Sequence, residues 1–115
     1  MVAEAHRRAA EGIERALKKL WPPSDPDEGR LVIEGAWNAS FHWIAYACQT
    51  KHGEHQESHA HLGSWLRRLS EAQPADWWER QERVRQGGLY GAKTGAIPEQ
   101  EALDLVAALH QWATT

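Results

Sequence analysis

A single cysteine, Cys48, in 115 residues excludes an internal disulfide. It lies in an apolar run, where a small thiol is ordinarily buried, and this usage suits a reducing cytoplasm. Long apolar runs are missing as well. No stretch of about eighteen uncharged apolar residues occurs, and no basic start leads into an apolar segment, so neither a membrane span nor a secretory signal is expected. Nowhere do apolar and polar residues alternate as in a strand. A phosphate-binding P-loop is absent: "QGGLYGAKTG" holds Lys93 and Thr94, but it follows a helical pattern and lacks the Gly-Lys-Thr ending. Neither Cys48 nor Ser40 has an acid and a histidine fixed beside it by the local sequence, which disfavours a catalytic triad.

Charge of one sign is never concentrated. The net charge is −3, with five basic and three acidic residues in 1–20, two and six in 21–62, six and four in 63–95, and none and three in 96–115. Phosphate binding needs a basic face, and the balance leaves one candidate patch, near Arg67, Arg68, Arg80, Arg83 and Arg85.

What the chain does have is indole and imidazole, seven Trp and seven His. With 42% hydrophobic and 25% charged residues it has the composition of one folded domain, spanning residues 1–115. Ala9 or Ala10, Ile13, Leu17, Leu20 and Trp21 recur at helical spacing and stop at Pro22-Pro23. Asp25 can cap a second helix, with Pro26 in its first turn and Asp27 and Glu28 at its positive end. From Leu31 to Cys48 that helix is apolar on most of its circumference, which makes it the central one. Glu34, Asn38 and His42, spaced by four, are expected to share hydrogen bonds along one inward face.

Gly53 reads as a left-handed cap. A third helix is expected from about residue 54 to 71, with Leu62, Trp65, Leu66 and Leu69 inward. Pro74 opens a fourth, carrying Trp77, Gln81 and Val84 on one stripe and stopping at Gly87-Gly88. After a loop, Pro98, Glu99 and Glu101 begin a fifth, with Ala102, Leu105, Val106, Leu109 and Trp112 or Ala113 inward. The fold class is therefore all-α, an up-and-down antiparallel bundle of four to five helices.

The stretch "HGEHQESHAH" puts four histidines in ten residues. On a helix from residue 54, His55 and His59 would share a face, and with His52 they make a candidate metal set. The competing reading is a solvated helix junction. Trp77 and Trp78 are adjacent, so about 100° separates them and both cannot face one contact; either both are buried between different helices of the bundle, or they are candidates for an interface with a partner.

"AWNASFHWIAYA", "ESHAHLGSWLRRL" and "ERVRQGGLYGAKTGAIPEQEALDLVAALHQWA" together resemble, in order, the successive motifs of HEPN-domain proteins. The resemblance implies a small helical bundle that commonly dimerises and is often encoded beside a nucleotidyltransferase. In active members an Arg followed a few residues later by a His cleaves RNA. Here Arg80, Arg83 and Arg85 stand at the matching helix end with no His at that spacing. Tyr90 takes the aromatic position, and a phenol of pKa near ~10 is a poor proton acceptor at neutral pH. The expectation is a cytoplasmic, non-catalytic HEPN-like interaction domain without cofactor, a homodimer or one half of a pair with a nucleotidyltransferase-like protein. The alternatives are an RNA-binding protein or ribonuclease using Arg83 or Arg85 near Tyr90, and a metal-binding bundle using His52, His55 and His59.

Overall fold

The computed structural model describes residues 2–55, 58–90 and 96–115, without the side chains of residues 88–90, 96 and 97. It contains five helices and, among the described residues, no strand: α1 (Ala3–Lys19), α2 (Pro26–His52), α3 (Leu62–Arg68), α4 (Ala72–Tyr90) and α5 (Ala96–Ala113). None is long and apolar enough to cross a membrane.

Local chemistry sets the ends of α2. Asp25 Oδ1 accepts the Glu28 amide at 2.8 Å, and the Glu28 carboxylate reaches back to the Ser24 amide at 3.0 Å, so two otherwise unpaired donors are satisfied. At the other end Gly53 adopts φ 67°, and its amide and that of Glu54 return to the Gln49 and Cys48 carbonyls. A side chain there would be strained, which is why glycine ends this helix. The 27 residues between, at ~1.5 Å each, account for the 41 Å long axis of the molecule.

α2 is the central element. Val32, Ile33, Ala36, Ala39, Trp43, Ile44, Ala47 and Cys48 are buried against α1, α4 and α5. Leu17 of α1 comes so close that a Cβ on Gly35 would sit 2.7 Å from its Cδ2. The pairs Leu17 with Gly35 and His6 with His42 run α1 antiparallel to α2. Glu34 with Arg85 and Ser40 with Gln81 do the same for α4. Gly29 with Glu99 and Trp43 with His110 run α5 parallel to α2. The four long helices therefore alternate in direction, the expected up-and-down bundle, and α3 packs on α4.

One buried polar knot crosses this core. Gln81 Nε2 donates to Ser40 Oγ at 2.8 Å and to the Ala102 carbonyl at 3.1 Å, while the Ser40 hydroxyl donates to the Ala36 carbonyl at 2.8 Å. The knot expected from Glu34, Asn38 and His42 does not form. Asn38 is exposed, Glu34 turns to Arg85, and His42 turns to His6. Their shared stripe lies to one side of the inward face that Ser40 occupies.

Three boundaries also differ from expectation. Helix α3 starts at Leu62 instead of near residue 54, because nothing between Gly53 and His61 supplies an apolar stripe to bury and His61 itself adopts φ 58°. Helix α4 runs past Gly87-Gly88 to Tyr90, since glycine lowers helix stability without forbidding helix. Helix α5 begins at Ala96, two residues before Pro98. The loop expected before it falls, at residues 91–95, outside the described residues.

Candidate functional site

Three of the four clustered histidines, His52, His55 and His59, turn to different partners. His52 Nε2 meets Glu71 Oε2 at 2.9 Å, His55 Nδ1 meets the Gln49 amide nitrogen at 2.8 Å, and His59 sets its ring edge-on to Trp37 at 5.0 Å between centroids. With no helix from residue 54, the one-turn spacing of His55 and His59 is lost. The structure thus does not assemble His52, His55 and His59 into a metal set. Among the described residues no group of three His, Cys, Asp or Glu side chains is arranged to hold an ion.

Three of the five arginines of the patch are paired with carboxylates. Arg67 donates to Asp76 and Glu79, both at 2.6 Å, and Arg80 pairs with Glu101 at 2.7 Å. Arg85 reaches Glu34 at 3.0 Å, and its guanidinium carbon lies 4.3 Å from the centre of the Trp37 ring. Trp37 Nε1 in turn donates to Glu82 at 3.0 Å. A phosphate approaching Arg85 would have to displace Glu34 and meet Glu82 nearby. Arg83 is exposed. The Tyr90 side chain lies outside the described residues. As for the two adjacent indoles, Trp78 is 2% exposed and tilted against Trp37, so it belongs to the core and is removed from the candidate interface. Trp77 is half-buried.

An apolar groove is one feature that the spacing of residues did not reveal. α1 and α5 both rest on α2, yet among the described residues their Cα atoms stay more than 8 Å apart. Between them runs a groove of about 290 Å³, lined by Glu14, Leu17, Lys18, Trp21, Leu103, Val106 and Ala107. Leu17 and Val106 are buried and form its floor, whereas Trp21 and Leu103 are half-buried and Ala107 is exposed on its walls. A signal was present in the sequence: Leu103 is a large apolar residue outside the inward pattern of its helix, and Trp21 stands at the end of its stripe, just before Pro22.

At one end of the groove, where its lining turns polar, stands Glu14. The fully buried Trp43 donates its indole N–H to Glu14 Oε2 at 3.2 Å, and His110 Nδ1 lies 3.0 Å from the same oxygen. The His110 ring stacks on Trp43 with centroids 4.1 Å apart. One carboxylate therefore ties α1 to α2 and α5. On the other side of α1, His6 and His42 share a hydrogen bond between their Nδ1 atoms at 2.9 Å, and burial pushes the His42 pKa down. Cys48 is fully buried, and its pKa is pushed up to about 12, by burial first and then by the Glu71 and Glu54 charges.

No protein-family model matches the chain, and no curated protein or solved structure matches it either.

Proposed function

We propose that the chain is a non-catalytic helical interaction domain that takes an amphipathic helix of a protein partner into the groove between α1 and α5. The observation that carries this reading is the open space between two helices that both pack along α2 and meet each other through the Glu14–His110 contact at one end. Neighbouring helices in a bundle pack at about 8–10 Å between axes. A guest helix lying on α1 and α5, opposite α2, would complete a four-helix arrangement and cover Trp21 and Leu103. Recognition of this kind places the guest's anchors at i, i+3, i+4 and i+7, and a hollow of about 290 Å³ has room for such anchors.

The resemblance to HEPN-domain proteins adds two candidate owners of that helix, a nucleotidyltransferase-like partner and a second copy of the chain. Both rest on the resemblance. The groove reading commits to a separate protein, because each long helix of this chain is already packed in its own bundle.

The test is a titration with a designed amphipathic peptide of about sixteen residues, which spans roughly four helical turns. Binding is expected, and Ala107→Arg, an exposed substitution that fills the groove, should abolish it. Unchanged binding by that variant overturns the reading. Light scattering that reports a dimer dissolved by Ala107→Arg would identify a second copy as the occupant and overturn the separate partner.

A further inference from the structure

We infer that the helix taken by this groove carries acidic side chains along one flank, read by Arg15 and Lys18 of α1. The inference rests on the groove reading above and adds the chemistry of the partner.

The apolar groove does not end at Glu14. It runs into a second hollow of about 250 Å³ lined by Glu11, Glu14, Arg15, Lys18 and His110, and the two hollows share Glu14 and Lys18. Together they form one trough along α1, from Trp21 to Glu11, apolar at one end and charged at the other. The charges at the polar end are not equally available. Glu11 faces Arg7, at 3.5 Å. Glu14 is held by the Trp43 indole and the His110 imidazole. Its charge is thus directed into the bundle.

Arg15 and Lys18 are exposed, and among the described residues neither makes an ion pair or a side-chain hydrogen bond. They stand three residues apart, one turn, on the flank of α1 that borders the trough. Arg15 and Lys18 are the two Arg or Lys residues that line the trough, and Glu11 and Glu14 beside them are engaged by other groups. The opposite wall differs: α5 contributes Leu103, Val106 and Ala107, while its Asp104 is engaged by Gln100 at 2.9 Å. A guest helix with its apolar face down would meet Lys18 and Arg15 on its α1 side, and on its α5 side alkyl groups at the apolar end and His110 at the polar end. Carboxylates one turn apart on the first flank match that asymmetry, and they fix which way round the helix lies.

Three peptides with one apolar face and Glu, Gln or Lys on the flank test this, read by the indole N–H resonance of Trp21 and by anisotropy. The Glu peptide is expected to bind roughly ten-fold more tightly than the Lys peptide at low salt, with the gap closing near about 0.5 M salt. The double variant Arg15→Glu/Lys18→Glu, both positions exposed, should reverse the order. Equal affinities for all three, still abolished by Ala107→Arg, overturn the acidic flank and leave the groove standing. A preference for Glu that survives the double variant also overturns it. No binding by any peptide removes the groove reading and this inference together.

Discussion

Replacing Glu14 by alanine takes the acceptor away from a buried indole. Trp43 is 0% exposed, so water cannot replace the lost carboxylate without opening the bundle. A buried donor left without a partner costs about 1–3 kcal/mol. The His110 contact adds little, because that side chain is 40% exposed and solvent screens the pair. The expected loss is therefore about 1–3 kcal/mol, or roughly 4–12 °C in melting temperature for a domain of this size. Urea unfolding followed by far-ultraviolet circular dichroism measures it. Glu14→Gln, which keeps a carbonyl oxygen at the same reach, should recover most of the loss. In a Trp43→Phe background there is no N–H to strand, so Glu14→Ala should cost less than about 1 kcal/mol there. If Glu14→Ala costs as much with Trp43→Phe as without it, the indole is not what the carboxylate serves.

Acidification should destabilise the fold through His42. Its pKa is lowered by burial, so the unfolded chain takes up the proton first. This contribution is fully present above about pH 6.5 and is lost as pH falls below it, with His6 only 2.9 Å away to oppose a second charge. His42→Gln should flatten the fall in stability between about pH 7.5 and 5.5; an unchanged slope would assign it elsewhere. Cys48 should resist alkylation in the folded state at pH 8 and react at the rate of global unfolding, because only opening of the core exposes a thiol held at about 12; rapid labelling of native protein would contradict its burial. Mixed RNA should survive incubation with the chain and with its Arg83→Ala variant alike, since Arg80 and Arg85 are committed to Glu101 and Glu34. Cleavage by the parent chain that Arg83→Ala abolishes would restore the ribonuclease reading.

Local signals were read well from the sequence where the chemistry itself is local. Asp25, Pro26 and Glu28 start α2 by satisfying amides within four residues, and Gly53 ends it through its own backbone. The inward stripe of α5 from Ala102 to Ala113 is likewise a matter of period alone. The sequence is silent where a partner from another helix decides. Ser40 looks like any polar residue in an apolar run until Gln81, 41 residues later, turns out to supply its hydrogen bond. His6 is buried because His42 and Phe41 lie beside it, not because of its neighbours in α1. The histidine pair at 55 and 59 has helical spacing, but spacing without apolar residues to bury does not hold a helix together. The gap between α1 and α5 is of the same kind: periodicity says which face of each helix turns inward, and it does not say how far one helix leans from the next.

Intermolecular nuclear Overhauser contacts in the complex with the Glu-flanked peptide bear most directly on the groove. Cross-peaks should run from the peptide's anchor methyls to the Trp21 indole and to the methyls of Leu103 and Val106, with the Glu flank beside Lys18. Cross-peaks instead to the exposed side of α2, at Leu31 and Asn38, would put the binding surface elsewhere and contradict the proposal.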